Sequence, residues 1–154
     1  MEYSQSFLPL DATDILEQAQ TCKNAGWRFV QMLAVNTETG IDLIYTYMVP
    51  FDAKDEKAEL VNYKVTGVDK ETTIPSITDF YLEAFVFENE IHDLFGVKIE
   101  GIAIDFKGNF YSLKQREPMT IISQAQLEAR EKAKKIAAAK AAKAAKAAKE
   151  GKGE

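Results

Sequence analysis

A chain of 154 residues has the length of one domain, and its 46% hydrophobic and 10% aromatic content excludes global disorder. The net charge of −5 hides a division: from Gln126 onward nine bases face four acids, a net of +5, which leaves −10 on the residues before it. No run nears the roughly 18 apolar residues that cross a bilayer, and Met1 to Leu10 lacks the basic start and apolar core of a signal peptide, so a cytoplasmic location is expected. A lone Cys22 and a lone His92 cannot form a disulfide or a zinc or iron–sulfur ligand set, so no cofactor is expected in this chain.

The spacing of Ile15, Leu16, Ala19 and Cys22 predicts an amphipathic helix over 11–25, with Asp11 or Thr13 at its start and Gly26 as its stop. The aromatic and β-branched segments 27–35 and 41–49, joined by the polar loop 36–40, predict a hairpin. Ile41, Leu43, Tyr45, Tyr47 and Val49 share one face of its second strand. The charged segment 51–58 reads as a loop. Val61, Tyr63 and Val65 then alternate with polar residues, as in a strand buried on one side. After Pro75 the period becomes helical through Ile77, Tyr81, Ala84, Ile91 and Phe95, with a capping pattern at Ser76 and Asp79 and Gly96 as the stop. Short strands are expected around Gly101, between Val97 and Phe106. These elements amount to an α+β domain over 1–123, followed at 124–154 by an Ala- and Lys-rich helical tail. The tail reads either as a solvated helix or as a weak electrostatic contact with anionic lipid or a partner, and not as a nucleic-acid arm.

Between Glu71 and Val97 there are six acids and no Lys or Arg. On a helical wheel Asp79, Glu83, Glu90 and Asp93 fall within about 80° of one another, whereas Glu88 lies about 20° from Ile77, inside the apolar stripe. A buried carboxylate must gain a cation or hydrogen bonds, or take up a proton. Two sources of compensation are open: a base from another polypeptide, which makes the helix a docking element, or Arg28, Lys64 or Lys98 of the same chain. Catalysis by these acids is disfavoured, since no phosphate loop, nucleophile elbow or His/Cys dyad accompanies them. A metal site is equally disfavoured, since the spacing of a calcium loop is absent. His92 reads as a surface or interface side chain.

The run Pro75-Ser76-Ile77-Thr78 and the core Glu88-x-Glu90-x-x-Asp93-Leu94-Phe95-Gly96-Val97 followed by Gly101 resemble the signature of the 30-kDa subunit of respiratory complex I and its relatives in membrane-bound hydrogenases. Gly26 to Phe29 and Leu43 to Tyr45 sit where that family has its first hairpin, so the likeness spans about 11–106. Asn89 replaces the family's Arg, Val86 its Trp and Leu82 its Pro, and Ile102 to Asp105 replaces a basic run. This shortened form is similar to the small subunit of Ech-type energy-converting nickel–iron hydrogenases. The resemblance implies a non-catalytic subunit on the cytoplasmic side of the cell membrane, peripheral, packed on the large catalytic subunit near the small iron–sulfur subunit. The nickel–iron site and the iron–sulfur clusters are then expected in those partners. It carries over Glu88, Glu90 and Asp93 as ion-pairing groups, Phe95 as an apolar anchor and Gly96 as a backbone stop, with Asp79 and Glu83 completing the expected interface. The alternatives are the equivalent subunit of an NADH:quinone or formate hydrogenlyase-type complex, and a free-standing acidic binding protein.

Overall fold

The computed structural model describes residues 2–37, 40–51 and 57–120, so the predicted tail lies outside the described residues. Its elements are α+β: strands β1 (Glu2–Pro9), β2 (Arg28–Thr37), β3 (Gly40–Met48), β4 (Lys57–Val68), β5 (Thr73–Pro75) and β6 (Lys98–Glu100), with helices α1 (Ile15–Asn24) and α2 (Ala84–Phe95). The main sheet has the order β1-β4-β3-β2, and β5 pairs with β6 in a separate small sheet.

The hairpin β2–β3 forms where the aromatic and β-branched pattern places it. Its antiparallel partners include Met32 with Tyr45 and Ala34 with Leu43, and an irregularity between Phe29 and Gln31 changes the register. That extra residue is why Phe29 and Met32, three positions apart, both turn inward. β4 continues the sheet antiparallel to β3, with Tyr63 opposite Tyr45 and Val61 opposite Tyr47. β1, an element the sequence pattern does not reveal, adds to β4 in parallel, with Tyr3 beside Ala58 and Phe7 beside Asn62.

Ile15, Ala19 and Cys22 of α1 and Ala84 and Ile91 of α2 are buried in one core with Phe29, Leu43, Tyr45 and Tyr47. Phe29 makes ring contacts of 5.7 Å with Tyr47, Tyr81 and Phe87, and Tyr47 meets Tyr81 at 5.5 Å, so aromatic packing fixes α2 against the sheet. The Tyr81 hydroxyl donates to the Trp27 carbonyl at 2.9 Å, and burial, the largest cause, pushes that phenol up to about 12.

The helix predicted from Pro75 onward begins only at Ala84. Ile77 and Tyr81 do face the core, but from tight turns in which the Phe80 and Tyr81 N–H groups both donate to the Ile77 carbonyl. Ser76 is not a cap. Its hydroxyl bonds elsewhere, and no side chain caps α2. The helix ends as expected, with Gly96 left-handed at φ 72° and its N–H donating to the His92 carbonyl. The strand expected past Gly101 does not form: residues 101–120 run as turns and bends.

Candidate functional site

α2 is the hub of the signature residues, and its polar side chains bond inward or sideways to segments of the same chain. Glu88 is 1% exposed. Its Oε2 accepts from the Ser76 hydroxyl at 2.6 Å and its Oε1 from the Ile77 N–H at 2.9 Å. The Ser76 oxygen also lies 2.7 Å from the Thr78 hydroxyl, and Thr78 Oγ1 accepts from the Ala103 N–H at 3.0 Å. One buried carboxyl thereby ties together the Ser76-Ile77-Thr78 turn, α2 and the start of the segment after β6.

None of the three bases of this chain expected at Glu88 is paired with it. Lys64 pairs with Asp42 at 2.8 Å, Lys98 approaches Glu71 at 4.0 Å, and the Arg28 guanidinium contacts Met48 sulfur. Burial pushes the Glu88 carboxyl above its ordinary value, opposed by the bonds from Ser76 and Ile77. The Tyr45 hydroxyl, buried without a hydrogen-bond partner, is likewise raised by burial first and then by the Glu88 charge.

Asn89, the residue that departs from the family's Arg, is fully buried. Its amide nitrogen donates to the Phe85 carbonyl at 2.7 Å and the Ile104 carbonyl at 2.8 Å, and its oxygen accepts from the Phe106 N–H at 2.9 Å. A charged guanidinium has no acceptor atom and could not satisfy that N–H. A buried polar residue beside the apolar stripe was the available signal for this role.

Asp93 is 5% exposed and its Oδ2 accepts from the Tyr111 N–H at 2.9 Å, whereas its buried Oδ1 has no hydrogen-bond partner among the described residues. Glu90, half-buried, accepts from the Tyr111 hydroxyl at 2.6 Å, and that bond raises the Tyr111 phenol above its ordinary value. Phe106, Phe110 and Tyr111 form an edge-to-face stack with centroids 5.2 and 5.0 Å apart. Further along, the Met119 N–H donates to the Leu94 carbonyl and the Thr120 hydroxyl to the Phe95 carbonyl, each at 2.9 Å. Residues 101–120 are thus held along α2 by a series of polar anchors.

The seven predicted interface residues do not share one surface. Asp79 is exposed in the turns ahead of α2, and Glu83 is exposed at the N-cap position. Phe95 packs against this chain's own core, Gly96 forms the left-handed stop, and Glu88 is internal. Only Glu90 and Asp93 come together, under Tyr111. His92, half-buried, has its Nδ1 2.9 Å from the Val97 carbonyl. Among the described residues no three His, Cys, Asp or Glu side chains converge on a metal-sized site, and no helix is long and apolar enough to cross a membrane.

The segment 101–120 exposes charged residues, among them Asp105, Lys107 and Lys114, together with large apolar ones. Leu82, Val86, Ile104, Phe106, Leu113 and Met119 are all exposed large hydrophobic residues of α2, its approach and the segment bound to it. Residues 8–105 match the family model of the respiratory-chain NADH dehydrogenase 30 kDa subunit. The chain belongs to that family. Two solved structures share the fold. One is Nqo5, as a trypsin-resistant fragment, with TM-score 0.55 and 19% identity, covering 66% of this chain and 83% of that one. The other is a chain of the membrane-bound sulfane sulfur reductase, an archaeal respiratory membrane complex, with TM-score 0.58 and 18% identity, covering 86% of this chain and 79% of that one. Among curated proteins none matches.

Proposed function

We propose that this chain is a non-catalytic docking subunit in the cytoplasmic arm of a membrane-bound energy-converting nickel–iron hydrogenase. It packs on the large catalytic subunit beside the small iron–sulfur subunit and is held to the membrane through them. The nickel–iron site and the clusters belong to those partners, and this chain supplies no ligand to them. The observation that carries the docking reading is the set of exposed large hydrophobic residues, Leu82, Val86, Ile104, Phe106, Leu113 and Met119, on α2, its approach and residues 101–120, an irregular segment held in place by buried polar anchors. Family membership supports a redox complex as its setting. The hydrogenase assignment rests on the shortened signature, with Asn89 for Arg and no basic run after Gly101.

A second reading, a sulfur-reducing complex, is favoured by the sulfane sulfur reductase chain of the same fold. Purification of the tagged full chain from native membranes, followed by metal analysis and gas measurement, separates them. The hydrogenase reading expects nickel in the co-purified assembly and hydrogen evolution driven by reduced ferredoxin. An iron-containing assembly without nickel that reduces sulfane sulfur supports the second. A chain recovered alone as a stable monomer contradicts both and supports a free-standing binding protein.

A further inference from the structure

Glu90 and Asp93 stand one turn apart on α2 under a single residue, Tyr111, which donates its hydroxyl to one and its backbone N–H to the other. Both donors are neutral. Among the described residues no Lys or Arg pairs with either carboxylate, although Lys107, Lys114 and Arg116 lie on the adjacent segment. Among the described residues Asp93 Oδ1 is buried with no hydrogen-bond partner, and a Cβ on Gly108 would sit 3.9 Å from that oxygen and 3.8 Å from His92 Nε2. Beside Glu90 stands the ring stack of Phe106, Phe110 and Tyr111, and one turn earlier Val86 is 38% exposed.

We propose that Glu90, flanked by the Phe106–Phe110–Tyr111 stack and backed by the buried Asp93 carboxylate, receives an arginine side chain of the partner subunit. The proposal rests on the docking reading above and names its contact point. A planar guanidinium fits this surface because it can form hydrogen bonds to a carboxylate while laying its face on an aromatic ring. A lysine ammonium is a compact, strongly hydrated charge without the flat face that the rings favour. The buried Asp93 charge adds attraction through a medium of low dielectric, and the surrounding apolar side chains exclude water around the contact.

The test uses the full chain in its native membrane complex. Wild type and Glu90→Gln, carrying different tags, are co-expressed, and their ratio in the isolated complex is compared with their ratio in the whole cell. Losing a desolvated charge contact predicts under-representation of Glu90→Gln by roughly thirtyfold or more. Tyr111→Phe, which keeps the ring and the backbone donor, should be depleted less. The Glu90 side chain bonds the exposed Tyr111 hydroxyl, so the free Glu90→Gln chain should unfold at the wild-type urea concentration. In parallel, a benzoylphenylalanine replacing Val86 is photo-crosslinked in the complex and the attached peptide is identified by mass spectrometry. An arginine in that peptide is expected. Glu90→Gln entering at parity, or a peptide with lysine or no base in place of arginine, overturns the proposal while leaving the docking reading intact. A wild-type chain that enters no complex overturns the docking reading and this contact with it.

Discussion

At the scale of single residues, Glu88 shows how a signature acid can be structural. Its oxygens accept a hydroxyl and an amide proton in the core, and burial raises its pKa above the ordinary carboxyl value. The folded state therefore holds the Glu88 proton more tightly than the unfolded chain does. The resulting stabilisation is complete below the unfolded carboxyl value and is lost as pH rises through the raised folded value. Urea titrations across this range should show wild type losing stability from about pH 4.5 upward, with a flatter profile in Glu88→Gln. An amide at 88 can donate to the Ser76 oxygen while that hydroxyl turns toward Thr78, so Glu88→Gln should retain the fold. Glu88→Ala instead strands the Ile77 N–H and leaves a cavity, a loss of about 2–4 kcal/mol in the same titration at acidic pH. Gly96→Ala forces a Cβ into a left-handed turn at φ 72°, at a cost of about 1–2 kcal/mol, read as a lower urea midpoint with an unchanged slope. The Glu117 side chain, which that Cβ would meet at 2.5 Å, is flexible and can move aside.

Among the elements, α2 and the segment 101–120 behave as a clamp and its load. Asn89 holds both the Ile104 carbonyl and the Phe106 N–H, so Asn89→Ala should release the segment without unfolding α2. Hydrogen exchange in that variant is predicted to accelerate at Phe106 and Tyr111, while the amides of Ile91 and Leu94 keep their protection. Equal acceleration in both groups would show that the clamp and the helix unfold as one unit. The same region shows where sequence reasoning succeeded and where it stopped. Ile77, Tyr81, Ala84 and Ile91 all face the core as the helical period requires, yet the first two do so from turns. Periodicity reports which side chains point inward, and a pair of tight turns can satisfy it as well as a helix. The burial of Glu88 was legible because one residue lay within an apolar stripe. Its partners were not, because hydrogen bonds to Ser76 and Ile77 span 12 and 11 positions and leave no local pattern. The single acidic face dissolved for the same reason: Asp79 was placed on a helix that begins five residues later.

For the whole molecule, the hairpin and β4 were readable from alternation, since Leu43, Tyr45 and Tyr47 face Val65, Tyr63 and Val61 across the sheet. β1 was not, because a parallel edge strand takes its register from β4, more than 50 positions away, and its own sequence is half polar. Glu88 and Asn89 cement the domain's own parts, while the large apolar residues outside those anchors are exposed. Under the proposed docking a partner subunit covers these outward residues. Hydrogen–deuterium exchange of the full chain, free and in the complex isolated from native membranes, tests it most directly. Residues 101–120 and the α2 amides should exchange more slowly in the complex, with α1 unchanged. Equal exchange of residues 101–120 in the two states would show that no partner covers them.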